Sequence, residues 1–527
     1  MSVTGDQSVT DGLSGVVGEP NADAGEPSTE AGEPSADDQS IADDDMTTAD
    51  VRHRAVTGAV VDTLRAIGLR LVGVVGTLVT ARLLSPYDFG LVAVGTTVLA
   101  FGDFLSDGGV AVALIRRPEA PTKSELRALA AFQLGLDLLL VAVVGLVMLP
   151  FGTLGQVTTV IVASLPLGAL RAAAYIIYER RLNYRPMAVV EVVETTVYYV
   201  WAIVTIILGW GVWGLATAFL VRETVGALLV LALLPEGRLL PVPSWKKVRP
   251  LLGFGWRFQA VAFVHMLRDQ GVNLAVAAFG GVAMLGLWNV AWRIIQIPIS
   301  LLSALWRVSY PGMARLVAAN EDVGSTIERV IALVAIGTGV LVVPLAASSS
   351  AWVEVLIGAK WESAASAIPP ACFAMMYGVP ISVALAGYLW AIGNVSVPLR
   401  ATVLGIPAAA LLMLPLLPVI GVIAAGVGYI GAAFVESLFF VHAARQTASF
   451  KIGARLAIPI VLATVSATCG WFVARAVGPD LAGGLASSAV AFGVFVGGLA
   501  LVHRADLVDA LALVTRGLRG IFAAPAT

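Results

Sequence analysis

Apolar residues run along this chain in long, unbroken stretches separated by short polar connections. A bilayer core is crossed by a helix of about 20 mostly apolar residues. The spacing predicts about fourteen such helices, near 56–80, 89–113, 126–149, 154–177, 187–209, 211–234, 251–278, 281–305, 325–347, 364–391, 397–417, 419–441, 454–475 and 482–502. Strands of a membrane barrel would instead alternate over about 10 residues, a pattern these continuous runs exclude. The expected fold is an all-α integral membrane protein with about fourteen transmembrane helices.

Composition agrees with the pattern. Of 527 residues 58% are apolar and 13% are charged, against roughly 25% charged in soluble proteins. The formal net charge of -2 conceals two different polymers. Residues 1–50 hold thirteen acidic residues and no Lys or Arg, and the remainder holds 33 basic against 22 acidic residues. The leader is rich in Gly, Pro, Ser and Thr, with Gly-Glu-Pro recurring at 18–20, 25–27 and 32–34. Such a segment buries too little apolar surface to offset its ordering entropy, so it reads as an acidic disordered cytoplasmic tail. It lacks the basic start and apolar stretch of a signal peptide.

Basic residues orient the spans. With the N-terminus inside, the inward connections and the chain ends hold 23 basic residues, and the outward connections hold three, Arg82, Lys360 and Arg475. This asymmetry is the one the positive-inside rule describes, and it predicts that both termini face the cytoplasm.

Seven basic residues remain inside expected helices: Arg65, Arg70, Arg171, Arg222, Arg257, Arg268 and Arg293. An Arg at the bilayer centre costs roughly 2.5–3.5 kcal/mol even on a lenient insertion scale, so each needs a reason. Arg171 is close enough to a helix end to snorkel. Arg222 adjoins Glu223, although neighbours on a helix diverge by about 100 degrees. The others group by face. Asp62 and Arg65 are three apart on the first helix, with Arg70 on the same broad face. Arg257 and Arg268 share a stripe of the seventh, followed by Asp269, Gln270 and Asn273. Asn289, Arg293, Gln296 and Ser300 line one side of the eighth. Asp103 and Asp107 are one turn apart on the second, and Glu191 and Glu194 three apart on the fifth. Two readings stay open. The charges are intramembrane ion pairs holding the bundle together, or they line a wet, net-cationic cavity for an anionic cargo. Arg suits phosphate because its planar fork donates two parallel hydrogen bonds.

A faint repeat supports the second reading. Residues 85–91 enter the second helix as 281–287 enter the eighth, with Gly90/Gly286, Leu91/Leu287 and Val94/Val290 matching at an offset of 196. Six spans separate the copies, so the halves point the same way. The expected organisation is the tail at 1–50, an N-lobe of helices 1–6 at 51–245, a C-lobe of helices 7–12 at 246–452, and helices 13–14 with a C-terminal segment at 453–527. Transporters built from such halves bind cargo between them.

Ala81-Arg82-Leu83-Leu84-Ser85-Pro86-Tyr87-Asp88-Phe89-Gly90-Leu91 resembles the signature of the polysaccharide-transporter family, oligosaccharide flippases related to multidrug exporters. Asp107-Gly108-Gly109 with Ala113 to Arg117, Leu285-Gly286-Leu287-Trp288 with Ala291-Trp292-Arg293, and Gly358-Ala359-Lys360-Trp361 are similar to further elements of it. The resemblance implies two six-helix lobes related by a parallel repeat, plus two extra C-terminal helices. It implies a cargo of polyprenyl-diphosphate-linked oligosaccharide, moved from the cytoplasmic to the outer leaflet for cell-surface polysaccharide synthesis. It also implies contact with polysaccharide-assembly proteins as well as with the lipid bilayer. Arg65, Arg70, Arg257, Arg268 and Arg293 are the diphosphate-binding candidates by position. Asp62, Asp103, Asp107 and Asp269 are candidates for balancing them or carrying a coupling proton.

Other classes fit less well. A membrane glycosyltransferase or polymerase usually sets catalytic groups in a sizeable outer loop, and the longest outer connection, near 348–363, carries only Glu354, Lys360 and Glu362. A small-molecule exporter of cationic drugs would favour acidic cavity residues. No phosphate-binding G-x-x-x-x-G-K-[ST] loop is present. The two cysteines and four scattered histidines suggest neither a disulfide framework nor a metal site, no cofactor is expected, and nothing in the pattern suits nucleic acid.

Overall fold

Local sequence signals set the helix boundaries. The computed structural model describes residues 72–233, 239–319 and 322–508, with 68, 69, 510 and 512; the side chains of 116, 254–258, 303–304 and 307–308 fall outside that description. Helix α1 spans Val72–Leu83. Ser85 then caps α2 (Pro86–Asp107). The Asp88 amide donates to Ser85 Oγ at 3.2 Å and the Ser85 amide donates to Asp88 Oδ2 at 3.0 Å, so two orphan donors are satisfied reciprocally. Pro86 at the first helical position costs nothing, because its missing N–H would be unpaired there anyway. Gly108 and Gly109 adopt φ of 54° and 71°, break the expected second span and restart it as α3 (Val110–Arg116).

A second capping box, Thr122 with Glu125, opens α4 (Lys123–Met148). The expected fourth span is again two pieces, α5 (Gly152–Val162) and α6 (Leu165–Arg180). α7 (Tyr184–Thr205) and α8 (Val212–Leu233) complete the first six spans. The next six are α9 (Trp245–Gly280), α10 (Val282–Ala318), α11 (Val323–Ile357), the short α12 (Glu362–Ala365) leading into α13 (Ile368–Ala391), α14 (Ser396–Ile420) and α15 (Ile423–Arg445). α16 (Gly453–Val477) and α17 (Leu481–Val502) follow.

Eleven helical stretches among the described residues are long and apolar enough to cross a membrane. One of them, Lys123–Arg180, is 58 residues long and contains two of the expected spans. At 36 and 37 residues, α9 and α10 exceed the expected spans and outrun a bilayer core about 30 Å thick. The protein is thus an all-α, multi-pass membrane protein, and no strand occurs among the described residues.

Packing explains the remaining architecture. α14 lies on α15, α13 on α11 and α15, and α7 on α8. The two halves meet mainly where α2 packs on α10, with α9 bridging from α14 to α2, α3 and α4. α16 and α17 pack on α11, where Trp352 Nε1 donates to Ser488 Oγ at 3.1 Å and Ser488 Oγ donates to Ser348 Oγ at 2.9 Å. Leu149, Leu411, Val419 and Leu501 lie bare on the outside. In water such a surface would drive aggregation; against lipid tails it is the expected finish.

Candidate functional site

The seam between the halves gathers polar groups from three helices. On α10, Arg293 extends toward α1 and α7. Its Nη1 donates to Thr77 Oγ1 at 2.8 Å and its Nε donates to Asn289 Oδ1 at 3.2 Å. Thr77 Oγ1 lies 3.2 Å from the Tyr199 hydroxyl. Arg293, Asn289 and Tyr199, with Thr80, Thr96 and Tyr198, border a narrow recess between the halves. Arg293 is exposed to it, and among the described residues no carboxylate lies within ion-pair distance of its guanidinium. A cation with only neutral partners has attraction left for an anion.

Gly76 makes room for this arrangement. A Cβ there would fall 2.1 Å from Tyr199 Cδ1, so the bare backbone lets the Tyr199 ring lie against α1.

The expected eighth-helix stripe assembles only in part. Asn289 and Arg293 are joined, whereas Ser300 Oγ donates to its own helix at Ile297 O, 2.7 Å away. On α9, Arg268 Nε donates to Asp269 Oδ1 at 3.0 Å, and the pair faces Glu436 and Tyr429 of α15. Arg268 thus turns toward the second half's own wall, and Arg293 toward the first half. Gln270 Oε1 accepts from Thr97 Oγ1 of α2 at 3.4 Å and from Asn273 Nδ2 at 3.0 Å, so this stretch of α9 also reaches the seam. Arg257 continues α9, but its side chain lies outside the described residues, as do Asp62, Arg65 and Arg70 altogether.

The acidic candidates divide. Asp107 accepts from the Gly109 amide at 3.2 Å and stabilises the break between α2 and α3. Asp103 interacts electrostatically with Glu223, Asp137, Arg171 and Arg222, at the edge of a charge cluster inside the first half.

That cluster corrects two expectations. Arg171 does not snorkel: its side chain is 15% exposed and ion-pairs with both Glu194 of α7 and Glu223 of α8. Arg222 does reach its neighbour, with Nε 3.7 Å from Glu223 Oε1 and 3.9 Å from Glu194 Oε2. Two cations and two anions balance, and breaking such a buried set leaves an uncompensated charge. Gly226 accommodates it, since a Cβ there would overlap Glu194 Oε1 at 1.5 Å. Here the ion-pair reading holds. Sequence reasoning also missed Gln133 and Asp137, four residues apart on α4 and both buried. Their Oε1 and Oδ1 atoms have no partner, while Asp137 bonds to Ser106 of α2. Asp137 was legible as the lone acid inside a long apolar run.

Comparison with known proteins places this architecture. The lipopolysaccharide biosynthesis protein WzxC of Escherichia coli (strain K12) is 24% identical over 326 residues, 59% of this chain and 65% of that protein. The succinoglycan biosynthesis transport protein ExoT of Rhizobium meliloti (strain 1021) is 26% identical over 280 residues, 51% of this chain and 55% of that protein. The chain therefore spans between half and two thirds of the length of these curated relatives. Among solved structures, the lipid II flippase MurJ in an inward closed conformation superposes with a TM-score of 0.65 at 13% identity, covering 85% of this chain and 99% of that one. An inward-facing MATE family multidrug transporter superposes with a TM-score of 0.54 at 17% identity, covering 71% and 96%. At such identities the likeness is one of fold. The sequence model of the family described as polysaccharide biosynthesis protein matches residues 79–366, more than half of the chain, and the chain belongs to that family.

Proposed function

We propose that the chain is a lipid-linked oligosaccharide flippase. It moves a polyprenyl-diphosphate-bound glycan from the cytoplasmic to the outer leaflet of the cell membrane by alternating access, for cell-surface polysaccharide synthesis and export. Residues 51–245 and 246–452 act as its two lobes, residues 453–527 are an addition to them, and both termini are cytoplasmic. The observation that carries this reading is Arg293, exposed at the seam with only neutral partners among the described residues.

The diphosphate is held between the lobes. Arg293 offers its guanidinium from one half, Thr77 and Tyr199 supply hydroxyls from the other, and Arg268 stands further along α9. Arg65, Arg70 and Arg257 belong to the same candidate set. The glycan rests in the aqueous seam while the polyprenyl tail stays in lipid, so the bilayer never has to solvate sugar hydroxyls. Asp103, Asp107, Asp269 and Asp62 balance or couple to these cations. Family membership and the names of the relatives support the cargo class, and polysaccharide-assembly proteins are the expected partners.

The test is leaflet-resolved accumulation of lipid-linked glycan in cells whose own copy is deleted and replaced by variants. Arg293→Ala should slow translocation by roughly ten- to a hundredfold, the scale of one lost charge-assisted hydrogen bond of about 1.5–3 kcal/mol, with protein still in the membrane. Normal export by Arg293→Ala would end the reading.

A further inference from the structure

Two helix ends from opposite halves exchange cations at one face of the bundle. The last four carbonyls of a helix have no partner within it and carry the negative end of its dipole. At the end of α1, Lys360 Nζ donates to Arg82 O at 2.8 Å and to Leu84 O at 2.6 Å, and Trp361 Nε1 donates to Ala81 O at 2.9 Å. At the end of α11, Arg82 Nη2 donates to Val355 O at 2.9 Å. Each helix terminus is thus met by a cation from the end of the other, Arg82 from the last turn of α1 and Lys360 from just past α11. Gly358, at φ 100°, turns the chain sharply after α11 and brings Lys360 and Trp361 back over α1. Trp361 is fully buried and meets Phe89 of α2 edge-on at a centroid distance of 5.2 Å.

We propose that this reciprocal cap is a clasp that holds the two halves shut at that face, and that Arg82, Lys360 and Trp361 set how readily the face opens during transport. The inference rests on the flippase reading for its purpose but not for its test. Any opening between the halves at this end separates 81–84 from 355–361 and exposes helix-end carbonyls that water must then solvate. Arg82 and Lys360 are two of the three basic residues assigned to the outward connections. Their place in the clasp gives that pair of charges a reason to stand on a side otherwise poor in them.

The experiment reads conformation without any glycan lipid. Thr96 borders the recess, so Thr96→Cys, in a chain carrying Cys372→Ala and Cys469→Ser, reports water access to the seam. A membrane-impermeant maleimide is applied separately to each face of oriented vesicles. Lys360→Met and Arg82→Gln should each raise labelling from the clasp face by about three- to tenfold, the scale of a solvent-exposed charge-assisted hydrogen bond. Lys360→Arg should restore the original rate. Trp361→Phe, which keeps a ring but loses the N–H, should give a smaller rise. Unchanged labelling in both charge variants, with protein recovered at parental levels, overturns the clasp. So does a loss of folded protein with no change in the labelling of what remains. Unchanged glycan transport in cells carrying variants whose labelling has changed would instead count against the flippase reading alone.

Discussion

Gly90 and Gly286 press against each other's helices in a symmetric exchange. A Cβ on Gly90 would lie 1.8 Å from Val282 O, and a Cβ on Gly286 would lie 1.8 Å from Pro86 O. The step from 86 to 282 equals the step from 90 to 286, the offset of 196 seen in the sequence repeat. Equivalent positions of α2 and α10 therefore meet as equivalents where the two halves pack backbone against backbone. Small residues permit such backbone-to-backbone contact between membrane helices.

Gly90→Ala or Gly286→Ala should force α2 from α10 and destabilise the closed arrangement by about 1–3 kcal/mol, the usual range for overpacking. Thermal unfolding in detergent would show a lower midpoint for either. Because both act on one contact, the double variant should lose less than the sum. Two additive losses would contradict the shared contact.

Arg171→Met should be more damaging, on the order of 3–5 kcal/mol, because it leaves Glu194 and Glu223 buried with Arg222 as their one remaining cation. Adding Glu194→Gln alone, which leaves Glu223 to balance Arg222, should recover much of the loss. Expression level and unfolding midpoint in detergent measure both effects. Failure of the double variant to improve on the single one would mean that the ion pairs are not the source of the defect.

Gly76→Ala should displace the Tyr199 ring and separate its hydroxyl from Thr77, leaving the Arg293–Thr77 bond to stand alone. Tyr199→Phe removes the same hydroxyl without the steric push. Both should slow glycan export by about three- to tenfold, in keeping with one neutral hydrogen bond of about 0.5–1.5 kcal/mol. Unfolding midpoints should fall for Gly76→Ala and stay near parental for Tyr199→Phe.

Acid should loosen the chain just beyond α17. Arg455 Nη1 donates to Asp506 Oδ2 at 2.6 Å, and His503 Nδ1 lies 2.8 Å from the same oxygen. Burial alone would raise the Asp506 carboxyl, but the His503 and Arg455 hydrogen bonds outweigh it and hold the group below the usual carboxylate range. A depressed folded-state value means that the stabilisation is complete above the unfolded carboxylate value of about 3.9 and disappears as pH falls through the lower folded value. Limited proteolysis after residue 502 should accelerate below about pH 4 in the parental protein. In Asp506→Asn it should be fast already at neutral pH.

The long apolar runs made the spans legible because a helix in lipid must satisfy its own backbone and show apolar side chains all round. Expected and observed limits agree closely for α4, α8, α16 and α17. The breaks at Gly108–Gly109 and at Ala163–Ser164 were not foreseen, since hydropathy averages over a bend that leaves composition unchanged. Partnerships inside the bundle were harder still. Arg171 finds Glu194 23 residues away and Glu223 on yet another helix, and which faces meet depends on how three helices rotate about their axes. Arg293 was identifiable because its cost in a bilayer demanded a reason. That it reaches Thr77 rather than a carboxylate was beyond any spacing argument. Arg268 was identified for the same cost, but its face toward α15 and Glu436 was not.

The clasp is addressed to main-chain oxygens. Substitutions at Ala81 and Leu84 therefore leave in place the acceptors that Trp361 and Lys360 need and are limited by the packing of their own buried side chains, whereas few residues can stand in for an ammonium at 360 or an indole at 361. Tolerance in a saturation scan should thus differ in kind across this contact, ruled by size and polarity at Ala81 and Leu84 on the gripped stretch and by the donor's chemistry on the stretch that grips.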